Sequence, residues 1–228
     1  MKIFDDITLI YVSYYSDLLF KKNINIIKEF NTIIVDNSNS ADLDAYLAGY
    51  PKIKYVKTST NLGFGSAMNL GVKNADTPYV LLLNPDITFD IESINNLYQG
   101  FISYPNSGIA GPSLYTSEGM RRSNSSLSYI KKKIYRNNFE RSIYKKINKN
   151  LSEGVLSCDY IIGCAMLIKK KFYLEIEGFD ENFFMYFEDN EICDRIKIKK
   201  KLVLEIPKSQ MSHLQGMSTE PSLKLNTT

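Results

Sequence analysis

The sequence predicts an α/β fold with a Rossmann-like, mostly parallel central sheet flanked by helices. Three observations support this class. Short β-branched runs alternate with helix-like segments through the first half of the chain. The run YVLLLNPD at 79–86 is almost continuously apolar and has prolines at 78 and 85, which is typical of a strand buried on both faces. The 228 residues, 44% of them apolar and 23% charged, suffice for one sizeable domain with its own core.

The predicted elements follow in order along the chain. We expect strands at 7–13, 32–36, 52–58 and 79–86, helices at 17–30 and 63–75, a strand interrupted by Gly163 at 159–170, a helix from about Glu188, and a last strand at 201–207. Asn61 is placed to cap the helix at 63–75. Strands that alternate with helices form parallel sheets with right-handed crossovers, and these sheets bind ligands at the carboxyl ends of their strands.

Composition narrows the class of protein. The net charge of +3 is too small for a polycation, and we find neither a membrane-length apolar run nor the apolar core of a signal peptide. Three cysteines without a CxxC pair favour a reducing compartment. We therefore expect a cytoplasmic protein with a single domain at 1–218 and a tail at 219–228.

The segment at 129–150 is strongly basic, with eight Lys or Arg against one Glu. Tyr135, Phe139, Ile143 and Ile147 recur every four residues, so a helix here would carry an apolar stripe flanked by cations. Such a helix can lie on an anionic membrane, here the inner face of the plasma membrane. Alternatively, the stripe packs on its own domain or on a second copy in a homo-oligomer. No nucleic-acid-binding motif accompanies it, so we expect no nucleic-acid partner.

Two carboxylates follow predicted strands directly. Asp36 ends the run IIVD, and Asp86 leaves the buried strand through a proline turn. Either one can reach a ligand above the sheet edge, or it can form an ordinary turn or helix cap. His213, the only histidine, follows the last predicted strand in a polar tail. It is either a structural residue or a ligand of a metal or phosphate.

The stretch FFMYFEDNEICDRIK, residues 183–197, runs from an aromatic cluster into two adjacent carboxylates. If a helix begins near Glu188, Asp189 shares a face with apolar residues three, four and seven positions later and points inward. Glu188 lies about a hundred degrees away around the helix and is expected at the rim. Asp189 is then either an N-terminal cap or a reactive carboxylate.

Several of these pieces together resemble one family, the inverting nucleotide-sugar glycosyltransferases of family 2, which have the GT-A fold. Within it, the sequence is most similar to the rhamnosyltransferase-like enzymes of bacterial surface polysaccharide synthesis. The matching pieces, in the family's order, are IYVSYYSD, IIVDNSNS, NLGFGSAMNLGVKNADTPYVLLLNPDI, GCAMLIKKKFYLEIEGFDENFFMYFEDNEICDRI and HLQGMS. They span most of residues 7–218, and the basic segment lies outside them.

The resemblance implies a nucleotide-sugar site at the strand ends, where Asp36 would hold the nucleobase. The other positions that match nucleotide-sugar-binding residues are Ser13, Tyr14, Asn61, Gly63, Gly65, Asn84 and Asp86. Asp86 and His213 would hold Mg²⁺ or Mn²⁺ together with the donor diphosphate. Two positions depart from the family: Asn84 replaces the first acid of its metal motif, and Tyr15 stands where Asn is usual.

The resemblance also implies the reaction. Asp189 matches the family's general base, which takes the proton from an acceptor hydroxyl as its oxygen attacks the anomeric carbon. Attack opposite the departing nucleotide is a single displacement and inverts that centre. The aromatic run at 184–187 would form a wall on which the acceptor sugar packs, as well as part of the core, and Tyr186, Phe187 and Glu188 would contact the acceptor.

We therefore expect an enzyme that moves a sugar from a nucleotide-diphosphate donor to a saccharide or lipid-linked acceptor. Rhamnose is one candidate sugar, and polysaccharide, O-antigen or capsule synthesis is the expected setting. The alternative is a catalytically inactive nucleotide-sugar-binding module of the same fold. The set of Asp86, Asp189 and His213 argues against this alternative, because a module without catalysis has no chemical need for all three.

Overall fold

The computed structural model describes residues 3–38, 40–122, 125–126 and 155–214. The strands are β1 (Ile7–Ser13), β2 (Asn31–Asp36), β3 (Ile53–Lys57), β4 (Tyr79–Leu83), β5 (Ile87–Thr88), β6 (Ser107–Tyr115), β7 (Arg121–Arg122), β8 (Ser125–Ser126), β9 (Leu156–Ser157), β10 (Tyr160–Ile161), β11 (Ala165–Lys169) and β12 (Leu202–His213). The helices are α1 (Ile3–Asp6), α2 (Asp17–Ile27), α3 (Ala41–Leu47), α4 (Phe64–Lys73), α5 (Ile91–Ile102), α6 (Lys170–Glu175) and α7 (Glu188–Ile198).

The central sheet has the strand order β3-β2-β1-β4-β11-β6-β12-β5. The first four strands pair in parallel, and β6 pairs in parallel with β12. Because β11 is antiparallel to both β4 and β6, strands β6 and β12 run in the same direction as β4. Along this order only β11 and the short edge strand β5 are reversed. The predicted mostly parallel sheet is therefore confirmed.

Helices cover both faces of the sheet, and this explains why the central strands are apolar without interruption. Leu81 and Leu83 of β4 pack into a core with α1, α2, α3 and α5. Val80 and Leu82 point the other way, into a second core with α4, α6 and α7. A strand buried on both faces loses the alternation of polar and apolar residues. The reading of 79–86 as such a strand is confirmed, although the strand itself ends at Leu83.

Several predicted boundaries need correction. The first predicted helix ends at Ile27, and the second spans Phe64–Lys73. Asn61 does not cap α4, because the N-cap residue is Gly63 and the side chain of Asn61 accepts a hydrogen bond from the Gly63 N–H instead. Helix α5 and strand β6 are not among the elements predicted from the sequence.

The last strand is longer than predicted. It continues from Leu202 through His213 because a register shift between Ile206 and Gln210 accommodates Pro207, which has no N–H to give to the ladder. His213 is thus the last residue of a strand and not part of a polar tail. This placement fixes the imidazole relative to the sheet edge.

The basic segment 129–150 and the tail 219–228 lie outside the described residues. Within the described part of the chain, no helix combines the length and the apolar character that crossing a bilayer requires.

Candidate active site

The predicted site residues gather at one edge of the sheet. Ser13 and Asp36 are the last residues of β1 and β2 and lie opposite each other in the parallel register. Asp86 lies three residues beyond the end of β4. Since β12 runs in the direction of β4, His213 ends at this edge too. The sheet therefore places carboxylates and an imidazole at the carboxyl ends of its parallel strands, where ligands bind in this kind of fold.

Asp86 and His213 form a close pair. The Asp86 Oδ1 and the His213 Nε2 are 3.3 Å apart, and Asp86 is buried. Strand pairing makes this contact, since His213 lies opposite Ile87 and the Leu214 N–H donates to the Asp86 carbonyl at 3.1 Å. One carboxylate and one imidazole suit Mg²⁺ or Mn²⁺ when phosphate oxygens supply the other ligands. The described residues contain no group of three or more metal-ligating side chains, so further ligands would have to come from elsewhere.

Asn84 shapes the turn that carries Asp86. Its N–H donates to the Cys164 carbonyl at 2.9 Å, and its own carbonyl accepts from the Ile87 N–H at 3.1 Å. These backbone bonds join the loop after β4 to the segment before β11. Direct contact between the Asn84 side chain and a nucleotide-sugar stays a prediction.

Asp189 is held by the same segment before β11. Its Oδ2 accepts from the Gly163 N–H at 2.9 Å, and its Oδ1 accepts from the Asn190 N–H at 2.9 Å. A Cβ at Gly163 would lie 3.2 Å from the Cβ of Asp189, so the absence of a side chain at Gly163 permits this approach. Asp189 is half-buried.

Cys164 shows that the two carboxylates converge. Burial raises the pKa of its thiol, and the negative charges of Asp86 and Asp189 raise it further. These carboxylates come from the loop after β4 and from α7, which lie far apart in sequence, and the charges of both affect the thiol of one buried residue. The structure therefore brings the predicted base and the predicted metal pair together around Gly163 and Cys164.

The orientation predicted for Glu188 is wrong. Glu188 is only 6% exposed, whereas Asp189 is half-buried. Both carboxylates flank the fully buried Ile192, which is four residues after Glu188 and three after Asp189, so the start of α7 turns both inward. Burial raises the pKa of Glu188, the neighbouring Asp189 charge adds to this, and its own backbone N–H opposes it. The Glu188 Oε2 has no hydrogen-bond partner among the described residues.

The aromatic cluster before α7 lies on the surface and is not part of the core. Phe184, Tyr186 and Phe187 are each more than half exposed, and the backbones of Tyr186 and Phe187 are left-handed, with φ of 70°. The Phe184 carbonyl accepts from the Phe64 N–H at 2.9 Å. Gly63 has φ of 80°, and a Cβ there would overlap that carbonyl. The loop at 184–187, predicted to contact the acceptor (the acceptor loop), therefore packs against the turn at 61–65, predicted to contact the nucleotide (the nucleotide turn). Contact of Tyr186, Phe187 and Glu188 with an acceptor stays a prediction.

Each oxygen of the Asp36 carboxylate accepts two hydrogen bonds from neighbouring residues, so the carboxylate is saturated. Its Oδ1 accepts from the Ser38 N–H and hydroxyl at 2.9 and 2.6 Å, and its Oδ2 accepts from the Ser40 N–H and the Tyr55 hydroxyl at 2.7 and 2.5 Å. Burial raises the pKa of Tyr55, and the hydrogen bond to Asp36 raises it further. This carboxylate holds the loop after β2 in place. Its contact with a nucleobase stays a prediction.

The remaining residues predicted to bind nucleotide surround this loop. Ser13 is fully buried and its Oγ has no partner among the described residues, whereas Tyr14 is exposed. Gly65 lies close beneath the later loop, since a Cβ there would meet the Cβ of Phe179 at 3.1 Å.

Two asparagines that join the loops of the site were not anticipated. Asn37 donates to the Gly63 carbonyl at 3.1 Å and accepts from the Leu62 N–H at 3.3 Å, which ties β2 to the nucleotide turn. Asn69 donates to the Phe179 carbonyl at 2.8 Å and accepts from the Tyr173 hydroxyl at 2.6 Å. Asn69 stands among apolar residues of α4, which indicates a buried amide. A buried amide needs hydrogen-bond partners, so this position could have identified Asn69 as a residue that joins two loops.

Similarity to known proteins identifies the family of this chain. The model for "Glycosyl transferase family 2" matches residues 19–174, which is more than half of the chain. The chain belongs to this family. A second model, described as "N-terminal domain of galactosyltransferase", matches residues 141–220. The family resemblance predicted from the motifs is confirmed, and with it the class of inverting nucleotide-sugar glycosyltransferases.

Curated relatives of this family 2 chain include rhamnosyltransferases. It is 25% identical over 210 residues to the N-acetylglucosaminyl-diphospho-decaprenol L-rhamnosyltransferase of Mycobacterium tuberculosis, covering 83% of this chain and 68% of that protein. It is 28% identical over 206 residues to rhamnosyltransferase WbbL of Escherichia coli, covering 83% of this chain and 76% of that protein.

Solved structures confirm the GT-A fold of this family member. GalNAc-T7 with UDP, GalNAc and Mn²⁺ matches with a TM-score of 0.69 at 14% identity, covering 94% of this chain. The mannosyltransferase PcManGT of Pyrobaculum calidifontis, in complex with GDP-Man and Mn²⁺, matches with a TM-score of 0.65 at 12% identity, covering 91% of this chain. The chain spans 44% and 56% of those two chains.

Proposed function

We propose that this chain transfers a sugar from a nucleotide-diphosphate donor to a hydroxyl of a saccharide or lipid-linked acceptor, with inversion, in bacterial surface polysaccharide synthesis. The observation that supports this most strongly is the convergence of Asp189 with the Asp86–His213 pair around Gly163 and Cys164. A base and a cation site that share one loop can act in the same displacement, the base on the attacking hydroxyl and the cation on the leaving diphosphate.

Asp189 is suited to the base role by its geometry. The Gly163 N–H fixes one carboxylate oxygen, and the start of α7 sets the direction of the side chain. In the proposed step the acceptor oxygen forms a bond to the anomeric carbon. The bond from that carbon to the diphosphate oxygen breaks, and the hydroxyl proton passes to Asp189. A positioned base contributes about 10²–10⁴-fold to the rate.

Asp86 and His213 would hold Mg²⁺ or Mn²⁺. A divalent cation there supplies positive charge that stabilises the leaving diphosphate. Two protein ligands leave coordination positions for phosphate oxygens and water. Both solved neighbours named above are structures with Mn²⁺, which supports this choice of cation.

The acceptor would lie against the exposed aromatic cluster at 184–187, because sugar rings pack their apolar faces on aromatic rings. The names of the curated relatives favour rhamnose as the transferred sugar. The mycobacterial relative transfers rhamnose to N-acetylglucosaminyl-diphospho-decaprenol, which makes a polyprenyl-linked acceptor one candidate here. A lipid-linked acceptor would bring this chain to a membrane surface at least transiently.

A donor panel tests this function. Purified protein is incubated with dTDP-rhamnose, UDP-sugars and GDP-sugars, and release of the nucleoside diphosphate is measured with Mn²⁺ and with excess EDTA. We expect turnover of one donor that requires the cation, and faster release when a suitable acceptor is added. Binding of a donor without release under any condition would favour the inactive module instead.

A further inference from the structure

Arg121, in β7, is an exposed cation bonded to a buried acid. Its Nη2 donates to the Glu205 Oε1 at 2.9 Å and to the Ser113 Oγ at 3.2 Å, and the Ser113 hydroxyl donates to the same Glu205 oxygen at 2.7 Å. The Glu205 side chain is 1% exposed, whereas the Arg121 side chain is 51% exposed. The Nε and Nη1 of Arg121 donate to none of the described residues. The guanidinium is therefore fixed in orientation and keeps donors for a ligand.

Stability alone does not account for this pair. Removing a carboxylate from water costs about as much as its attraction to a cation returns, and an apolar side chain of similar size is often as stable in its place. The residues on either side, Leu204 and Ile206, are buried apolar residues of the core. What Glu205 adds is a fixed direction for the guanidinium. A planar guanidinium with free N–H groups matches the geometry of a phosphate, which it can hold through two parallel hydrogen bonds.

Strand β7 lies beside the loop that holds the proposed base. Strand β12 pairs with one edge of β6 as far as Tyr115, so β7 and β11 share the other edge. Ala110 of β6 pairs with β11, and Leu114 pairs with β7. If the register of β11 continued, Gly163 would lie opposite Leu114. Strand β7 therefore takes the place beside β6 that the chain leaves at Gly163, whose N–H holds Asp189.

The guanidinium also lies on the face of the sheet that α7 covers. Val203 of β12 packs into the core that includes α7, whereas Leu204 packs into the opposite core. Side chains alternate along a strand, so Glu205 points to the α7 face, and Arg121 is bonded to it there. Asp189 stands at the start of α7. In strand order, the predicted nucleotide loops follow β1 and β2 on one side of β4, and β7 lies on the other side. The cation is thus beside the base and away from the predicted nucleotide loops.

We propose that Arg121 binds a phosphate through which the acceptor sugar is attached to its carrier. This inference rests on the proposed function, since it names the chemical class of the acceptor at the same site. When the acceptor hydroxyl lies at Asp189, the rest of the acceptor extends over the neighbouring surface, and β7 is the neighbouring strand on the side away from the nucleotide loops. Charge-assisted hydrogen bonds from Arg121 select an acceptor with a phosphate link over a neutral one. Glu205 and Ser113 hold the guanidinium in the direction that this contact needs.

The test compares acceptors that differ only in their link. They are the undecyl glycosides of glucose, galactose and N-acetylglucosamine, and the same sugars attached to undecyl diphosphate. The KM for each acceptor is measured at saturating donor, which keeps the acceptor's diphosphate out of the donor site. For at least one sugar, we expect the KM of the unaltered protein to be about tenfold or more lower with the diphosphate link, because hydrogen bonds between charged groups are the stronger ones.

Arg121→Lys keeps a positive charge beside Glu205 but removes the planar fork. It should raise the KM for the diphosphate-linked acceptor by about tenfold and leave the KM for the glycoside, kcat and donor affinity unchanged. Lys171→Gln is the control, because it alters an exposed cation in α6 at the opposite edge of the sheet. It should change none of these quantities.

An equal KM for the two links in the unaltered protein would overturn the inference. An equal rise for both links in Arg121→Lys would also overturn it, and a loss of donor affinity would assign Arg121 to the donor's diphosphate instead. If no donor is turned over, the proposed function fails, and calorimetry with the same acceptors decides this inference. A preference for the diphosphate link that Arg121→Lys removes supports it, and equal binding or none contradicts it. Should Arg121→Lys not fold, the double variant Arg121→Gln with Glu205→Gln, which removes both charges, takes its place.

Discussion

Asp36 and Glu188 are buried carboxylates of the same site, but their surroundings differ. Asp36, in the loop after β2, accepts four hydrogen bonds from Ser38, Ser40 and Tyr55. Glu188, at the start of α7, keeps an oxygen without a partner among the described residues, and burial raises its pKa. A carboxylate with all its hydrogen bonds made stabilises the fold, whereas a buried one with a free oxygen is costly unless water or a ligand supplies a donor. The site therefore combines a loop fixed by its own contacts with a helix start whose buried carboxylate has an oxygen without a partner among the described residues.

The largest effect should come from the Asp86–His213 pair, which we propose holds the cation. Asp86→Ala removes the buried carboxylate of the pair, so we expect donor turnover to fall by about 10³-fold, since lost stabilisation of developing charge costs this much in other enzymes. Single-turnover assays over a range of Mn²⁺ concentrations measure it. Full turnover in Asp86→Ala, or full turnover of the unaltered protein in EDTA, would contradict the assignment of the pair.

The saturated region should respond through stability. Asp36→Asn leaves one acceptor oxygen and turns an amide N–H₂ toward donors, so we expect the free energy of unfolding to fall by about 3 kcal/mol. Urea denaturation measures this change. The exposed Asp42→Asn serves as control and should stay within about 0.5 kcal/mol. Equal stability of the two variants would show that the four hydrogen bonds of Asp36 do not hold the loop.

The contact between the two regions can be tested at Gly63. Gly63→Ala places a Cβ against the Phe184 carbonyl at a positive φ, so we expect the Tm to fall by about 5–10 °C. Gly49→Ala is the matched control, because nothing lies within 4 Å of a Cβ there. An equal Tm for both variants would mean that the acceptor loop does not rest on the nucleotide turn.

The smallest effect concerns the unsaturated Glu188 and depends on pH. Its pKa is raised above the ordinary 4.5, so the folded state binds the proton more tightly than the unfolded state. The stability this contributes is present below pH 4.5 and is lost as the pH rises through the folded pKa. Glu188→Gln cannot titrate, so it should become progressively more stable relative to the unaltered protein as the pH rises from 4 to 7, which urea denaturation at several pH values measures. Parallel stability curves for the two proteins would contradict the burial of Glu188 as an ionisable group.

Local pattern was enough for the parts of the fold that repeat a simple period. Strand β1 was predicted at its observed bounds because its apolar run is continuous, and α7 begins at Glu188 as expected. The reach of β12 to His213 could not be predicted, because Pro207 and the register shift disguise a strand whose partners are distant in sequence.

The surroundings of the site carboxylates were also beyond the sequence pattern. Tyr55 reaches Asp36 across the pairing of β2 with β3, which only the folded sheet defines. The apolar spacing of α7 predicts an inward Asp189, whereas Glu188, predicted at the rim, is buried because it lies four residues before the buried Ile192. Which carboxylate oxygens are saturated depends on contacts between loops, and these have no signature in a single sequence.

The most direct test of the central claim compares two acids of α7. Asp189→Asn retains an oxygen that can accept from the Gly163 N–H, and Asp194→Asn alters an exposed side chain of the same helix. Sugar transfer is followed in a single turnover, with donor affinity and Tm measured on the same samples. We predict that Asp189→Asn slows transfer by about 10²–10⁴-fold with little change in donor affinity or Tm, and that Asp194→Asn transfers normally. Unaltered transfer by Asp189→Asn, or an equal loss in both variants, would contradict Asp189 as the base.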